Sequence, residues 1–129
     1  MNTAVDKIIM FNVGVNDMDR SKVFYTERLG LKITRDIGQG NMHFVTLGLP
    51  GGGTSLVLTT AYGNFKPGTM VIQFSTSDIQ AAHKQLNSKD STATGPIMDD
   101  FHGPGSGVKG FQIDDPDGNR LFVVQLAVA

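Results

Sequence analysis

The same order of predicted helices and strands occurs twice in this sequence of 129 residues. Residues 7–15 alternate in hydrophobicity and predict a strand, and Asp17 then stands where the N-cap of an amphipathic helix is expected. Residues 70–76 and Asp78 repeat that arrangement, so the two N-cap positions lie 61 residues apart. Three further strands are predicted after each helix. This repeat of strand, helix and three strands restricts the chain to a fold built from two similar modules.

The element boundaries follow from breaks in the hydrophobic periodicity and from clusters of glycine and proline. Helices are predicted after Asp17 and after Asp78, and strands near 7–15, 31–37, 42–49, 54–60, 70–76, 92–98, 107–114 and 119–127. The segment 62–68 interrupts the pattern in the middle of the chain. The sequence therefore predicts an α+β protein with a single domain over 1–129, in which module one covers about 1–62 and module two about 68–129.

Charge and cysteine content narrow the classes of partner. Eleven Lys and Arg stand against twelve Asp and Glu, so a net charge of -1 gives no footprint for nucleic acid or a membrane surface. The absence of cysteine rules out disulfides and thiolate chemistry. Charged residues also interrupt the first twenty positions, so neither a signal peptide nor a membrane span is expected there. A cytoplasmic protein with a small-molecule ligand is the prediction.

Three motifs, in the right order along the chain, carry a resemblance to a known family. They are Val15–Ser21 (VNDMDRS) with Phe24-Tyr25 and Leu29-Gly30, Pro50–Leu56 (PGGGTSL), and Asp115–Leu121 (DPDGNRL). They resemble the first helix, the third-to-fourth-strand turn and the last hairpin of the vicinal oxygen chelate superfamily of glyoxalases, bleomycin-resistance proteins and extradiol dioxygenases. The resemblance implies two βαβββ modules that form a curved, partly open mixed β-sheet cup with the helices on the outer face. It also implies a homodimer.

The metal-dependent members of that superfamily hold a divalent ion with four side chains on the concave faces, typically histidines and glutamates. The matching positions in this sequence are Met10, Val57, Val71 and Phe122. All four are apolar, and none is a suitable ligand for the hard ions of such sites. The resemblance therefore favours the metal-free branch that is typified by bleomycin-resistance proteins. No metal, no cofactor and no catalytic residue is predicted, and the chain is expected to bind a ligand and not to transform it.

The same register defines a predicted pocket lining. It consists of Met10, Asn12, Val57, Val71, Gln73 and Phe122, with His102 on a glycine-rich loop at the rim. An apolar lining with a few amides suits a small, largely apolar or aromatic molecule that burial holds and one or two hydrogen bonds orient. Cationic, drug-like compounds belong to this class. Their positive charge could pair with the carboxylates near predicted strand ends, which are Asp36, Asp99 and Asp100.

Two other functions stay open at this point. One is a divalent-metal-dependent lyase, isomerase or dioxygenase with an atypical ligand set from His43, His102 and the loop aspartates Asp99 and Asp100. The other is an interaction module without a small ligand. Strand parity decides whether His43 lines the cup or faces outward, whereas His83 is predicted to be a solvated or edge-packed helix residue.

Overall fold

The computed structural model describes residues 4–5, 7–61, 66–89 and 94–127. Backbone contacts divide the chain into two compact units, Met1–Pro67 and Gly68–Ala129. Within the described ranges the chain forms two α-helices and seven strands, and the strands lie in two open sheets. Each sheet contains one parallel pair beside antiparallel pairing. The predicted α+β class with mixed sheets is confirmed.

The first unit places a helix between the first and second of its four strands. Its elements are β1 (Met10–Gly14), α1 (Met18–Val23), a π-helical turn (Phe24–Arg28), β2 (Lys32–Gln39), β3 (Met42–Gly48) and β4 (Ser55–Thr59). The sheet order is β1-β4-β3-β2, in which β1 pairs with β4 in parallel and the other two pairs are antiparallel. Consequently β1 and β2 are the edge strands of this sheet.

The helical segment formed by α1 and the π-helical turn begins and ends where the sequence predicts. The Asp17 carboxylate accepts a hydrogen bond from the Arg20 backbone N–H at 3.1 Å, which satisfies one of the free donors of the first turn. The last turn widens to a π-helix, in which the Leu29 N–H donates to the Phe24 carbonyl five residues earlier at 3.2 Å. Gly30 then takes a left-handed φ of 79°, which a residue without a side chain adopts readily.

The two faces of the first sheet differ in cover. One row of cross-strand partners lies on the face against which α1 packs, and it consists of Asp36, Val45, Leu58 and Val13. Val45, Leu58 and Val13 are fully buried. The next row, Arg35, Thr46, Val57 and Asn12, shares the opposite face. This opposite face is called the open face of the first sheet.

The second unit has a shorter sheet. Its elements are β5 (Val71–Ser75), α2 (Ile79–Lys89), β6 (Lys109–Asp114) and β7 (Arg120–Gln125). The order is β5-β7-β6, with β5 and β7 parallel and β6 and β7 antiparallel. The helix α2 covers one face, on which Phe111, Ile113 and Leu121 are fully buried. Its N-cap is Asp78, as predicted, whose carboxylate accepts from the Ala81 N–H at 3.1 Å.

The strand predicted near 92–98 is not regular in the part that the structure describes. Thr94 and Met98 form isolated antiparallel bridges with Ile113 and Gly110 of β6, and residues 92–93 lie outside the described ranges. Pro96 stands between the two bridges and lacks the N–H that a continuous ladder needs. The segment therefore follows the edge of β6 without becoming a full strand.

A buried turn joins β6 and β7 and fastens the start of β5. The Asp115 carboxylate accepts from the Asn119 side-chain amide at 2.8 Å and from the Asn119 backbone N–H at 2.8 Å. The Asn119 amide oxygen in turn accepts from the Met70 N–H at 2.9 Å. These hydrogen bonds give the DPDGN motif at residues 115–119 a structural role. None of the helices in the described ranges is long and apolar enough to cross a membrane.

Candidate functional site

The face of the second sheet opposite α2, which is called the open face of the second sheet, carries an aromatic ring between two amides. Gln73, Phe122 and Gln112 are direct cross-strand partners on β5, β7 and β6, so their side chains project from the same face. The facing row on the other side contains Phe74, Val123 and Phe111, which pack toward α2. The Phe122 ring is only partly buried. A flat apolar surface with polar groups on both sides is therefore available on this sheet.

The loop that precedes β6 adds a second ring. The ring of Phe101 lies 5.1 Å from that of Phe122, centroid to centroid, at an interplanar angle of 65°. This edge-to-face arrangement is favourable for aromatic pairs. Phe101 also lies over Gly110 on β6, where a Cβ would come within 2.8 Å of the ring. A glycine at position 110 is thus what allows the ring to reach the sheet.

His102 of the same loop completes the polar side. Its Nε2 atom is 2.7 Å from the amide oxygen of Gln73. Because an amide oxygen only accepts hydrogen bonds, the His102 Nε2–H is the donor in this pair. In the neutral ring Nδ1 is then an acceptor, and the amide nitrogen of Gln73 retains its donors. The five residues Gln73, Phe101, His102, Gln112 and Phe122 are called the Phe122 face.

Backbone contacts fix the loop that carries Phe101 and His102. The Phe101 N–H donates to the Val108 carbonyl at 2.7 Å. Asp100 takes a left-handed φ of 51°, and its carboxylate accepts from the Gly107 N–H at 3.0 Å. The Asp100 carboxylate therefore helps to hold the loop that carries Phe101 and His102.

A cavity of 370 Å³ lies beside Phe101. It is lined by Thr94, Gly95, Pro96, Met98, Phe101, Gln112 and Asp114. The Gln112 amide nitrogen donates to the Asp114 carboxylate at 3.1 Å within it. Phe101 and Gln112 belong both to this cavity and to the Phe122 face, so the two surfaces are continuous.

The remaining predicted lining residues lie on the open face of the first sheet. Asn12 and Val57 are cross-strand partners on β1 and β4, and Met10 shares their face two residues before Asn12. Met10 is 46% exposed, whereas Val57 is buried. On the second sheet Val71 is 63% exposed and lies two residues before Gln73 on the same face. Ligand binding by these side chains stays a prediction.

Asp36 and His43 lie on the helix-covered face of the first sheet. Asp36 is paired with Val45 across the sheet, and its carboxylate accepts from Lys22 Nζ at 2.8 Å and contacts His43 Nε2. The hydrogen bond from Lys22, followed by that from His43, holds the pKa of Asp36 below its usual value of 3.8. His43 thus lies on the face that packs against α1, and the negative charge of Asp36 is already paired with Lys22 and contacts His43.

The other two predicted residues are also accounted for. The Asp99 carboxylate is 4.0 Å from Lys109 Nζ. His83 packs its ring edge-on against Phe111 at 4.9 Å and bonds the Gly95 carbonyl through Nε2 at 2.8 Å. The edge-packed alternative predicted for His83 is confirmed.

Comparison with known proteins decides the family. The model of the Glyoxalase/Bleomycin resistance protein/Dioxygenase superfamily matches residues 7–123. The chain belongs to this superfamily. It is 31% identical over 99 residues to the uncharacterised protein YurT of Bacillus subtilis strain 168, an alignment that covers 68% of this chain and 78% of YurT.

Solved structures of the superfamily share the fold. The antibiotic-binding protein TnmS3 of Streptomyces sp. CB03234 is similar with a TM-score of 0.82 and 25% identity, covering 98% of this chain and 100% of TnmS3. A superfamily member from Sphaerobacter thermophilus DSM 20745 is similar with a TM-score of 0.79 and 27% identity, covering 95% of this chain and 99% of that protein. Membership of this superfamily and the similarity to an antibiotic-binding protein agree with a general role in binding small molecules.

The residues of this superfamily member do not fit a divalent metal ion at the four positions that the resemblance marks. Met10 and Val57 lie on the open face of the first sheet, and Val71 and Phe122 on that of the second. Three of these side chains have no donor atom, and the thioether of Met10 is a poor ligand for a hard ion. Within 7–61, 66–89 and 94–127, moreover, no three His, Asp or Glu side chains converge as a metal site.

Sequence reasoning missed Phe101, Gln112 and Asp114. The parity of β6 carries a signal for the last two, because Gly110, Gln112 and Asp114 alternate with the buried Phe111 and Ile113. No local signal places Phe101, since its ring reaches β6 and β7 from an irregular loop.

Proposed function

We propose that this protein binds a small, largely apolar or aromatic molecule without the help of a metal ion. The observation that carries the proposal is the Phe122 face, where two aromatic rings in contact are bordered by amide and imidazole groups. Aromatic rings supply apolar area at little cost in conformational freedom, and the few polar groups orient what is bound. Apolar side chains at the four metal positions support the metal-independent form of this function.

The comparison with TnmS3, described as an antibiotic-binding protein, supports the same function. We propose that a planar organic compound, such as a drug-like antibiotic, lies against the Phe101 and Phe122 rings. The Gln73 amide N–H would donate to an oxygen of that compound, and His102 Nδ1 would accept from a hydroxyl or amine. No step of bond making or breaking is part of the proposal.

The wider assembly is also proposed. We propose that residues 1–129 act as a single domain and that Met10, Asn12, Val57 and Val71 also take part in ligand binding, as the register predicts. The edge strand β1 and the apolar residues before it, Ile8 and Ile9, which are 71% and 59% exposed, support pairing into a homodimer. Cytoplasmic location, with neither nucleic acid nor membrane as partner, rests on the balanced charge and the absence of cysteine.

A thermal-shift screen with planar aromatic compounds tests the proposal. A ligand at a hundred times its dissociation constant stabilises the fold by about 2.7 kcal/mol, which raises the melting temperature measurably. Phe122→Ala is expected to weaken binding of a hit by about 1 to 3 kcal/mol, because it removes a central aromatic contact. Gln73→Ala is expected to cost less, about 0.5 to 1.5 kcal/mol, as for a neutral hydrogen bond.

Two controls separate binding from general damage to the sheet. Phe74→Ala truncates a ring on the helix-covered face of the same sheet, and Gln80→Ala removes an exposed amide of α2. Both should leave the dissociation constant unchanged once the variants are shown to be folded. Equal losses for Phe122→Ala and Phe74→Ala would contradict the proposal. Hits should be recovered unaltered by mass spectrometry, whereas conversion with turnover would show an enzyme.

A further inference from the structure

Asp114 is a carboxylate that borders the candidate ligand surface. It shares the parity of Gln112 on β6 and lines the 370 Å³ cavity beside Phe101. The other walls of that cavity include the apolar side chains of Pro96, Met98 and Phe101. A negative charge thus stands at the end of an apolar surface that leads to the Phe122 ring.

The partners of Asp114 leave room for a further donor. One carboxylate oxygen, Oδ1, accepts from Gln112 Nε2 at 3.1 Å. An ionised carboxylate offers about four acceptor positions on its two oxygens, so one amide donor does not saturate it. Asp36, by contrast, already accepts from Lys22 and contacts His43, and Asp100 is not part of the cavity lining. Asp114 is therefore the better candidate for an ionic contact with a ligand.

Arg120 moderates this charge. It is the direct cross-strand partner of Asp114 and projects from the same face. A cation next to the carboxylate reduces the negative potential that a bound cation would meet. Replacing Arg120 with a neutral residue should consequently act in the opposite direction to replacing Asp114.

We infer that the ligand class is an aromatic compound that bears a protonated amine, with its ring on the Phe122 face and its ammonium group hydrogen-bonded to Asp114. This inference rests on the proposed function, since the ring must bind before the amine can reach the carboxylate. It adds a charge requirement that aromatic burial alone does not impose.

A matched pair of probes tests the charge requirement. The probes are 2-naphthylmethylamine, which is a cation at pH 7, and 2-naphthalenemethanol, which carries a neutral hydroxyl in the same place. Dissociation constants are measured by NMR titration of the full chain. The amine is expected to bind about fivefold tighter than the alcohol, the upper end for an ion pair that remains partly exposed to solvent. Added salt should reduce this ratio and leave the alcohol unaffected.

Three variants assign the effect to Asp114. Asp114→Asn should abolish the preference for the amine while retaining alcohol binding, and Arg120→Gln should increase the preference. Asp19→Asn, which makes the same change in net charge on the exposed surface of α1, should change neither constant.

The outcomes separate this inference from the function on which it rests. Equal binding of amine and alcohol to the unaltered chain, or an amine preference that survives Asp114→Asn, would overturn the inference and leave aromatic binding standing. Binding of neither probe, with no hit in the broader aromatic screen, would overturn both.

Discussion

Gly110 is the position at which a single methyl group should disturb the Phe122 face most directly. A Cβ at this residue would lie 2.8, 2.9 and 3.0 Å from Cγ, Cδ2 and Cδ1 of the Phe101 ring. These are the ring atoms nearest the Phe101 backbone, so a side-chain rotation cannot move them away without displacing the whole ring. Gly110→Ala should therefore push Phe101 off the sheet and break its contact with Phe122.

The size of the effect follows from two opposing terms. Overpacking of a fitted site typically costs about 1–3 kcal/mol. Replacing glycine with alanine in a compatible backbone conformation stabilises by about 0.4–1 kcal/mol, because the unfolded chain loses freedom. Gly110 has no left-handed φ, so the second term applies. The midpoints of the two ranges, about 2 and about 0.7 kcal/mol, leave an expected net loss of about 1.3 kcal/mol in the free energy of unfolding.

A double-mutant cycle with Phe101→Ala tests this reasoning. In the Phe101→Ala background the added methyl group meets no ring, so Gly110→Ala should become neutral or stabilising. Unfolding in urea is followed by far-UV circular dichroism, because the chain contains no tryptophan to report by fluorescence. An equal cost of Gly110→Ala in both backgrounds would show that the contact with Phe101 is not the cause, and would refute the account of why this position is a glycine.

Three further predictions concern metal, assembly and acid stability. Purified protein should contain no stoichiometric Zn, Ni, Mn or Fe, and chelators should leave its melting temperature unchanged; about one ion per chain by elemental analysis would count against this. Light scattering at high micromolar concentration should give twice the 13.8 kDa chain mass, and a monomer mass would contradict the homodimer. Because Lys22 and His43 lower the pKa of Asp36 in the folded state, the stability that Asp36 contributes should be present above its usual value of 3.8 and be lost as the pH falls through the lowered pKa. Acid titration should therefore bring the free energies of unfolding of the unaltered chain and Asp36→Asn together as the pH falls from about 3.8 through the lowered pKa, and a gap that stays constant over this range would refute the ionic origin.

Strand parity and helix caps were readable from the sequence because both depend on neighbours along the chain. The alternation over residues 7–15 correctly placed Met10 and Asn12 on one face of β1, and the short polar residues Asp17 and Asp78 marked the starts of both helices. These features need only a period of two or a donor three residues away.

The parts that sequence reasoning did not reach depend on contacts between distant segments. Phe101 owes its role to Gly110 and Phe122, which belong to two different strands. His43 could be assigned to a face only after the register of β3 was known, since a shift of one residue would reverse it. The bridges of Thr94 and Met98 to β6, on either side of Pro96, also follow from no local pattern in the sequence.

The parallel pairing of β1 with β4 and of β5 with β7 has a consequence for how the protein is made. In each module the first strand to leave the ribosome finds its sheet partner only when the last strand has followed. The bonds Thr54 Oγ1 to the Ile8 carbonyl and Met70 N–H to the Asn119 amide span 46 and 49 residues. Loop closures of this length are slow compared with hairpin formation, so β2–β3 and β6–β7 should pair first. Until synthesis of each module is complete, the backbone of its opening strand stays unpaired and open to association with another nascent chain.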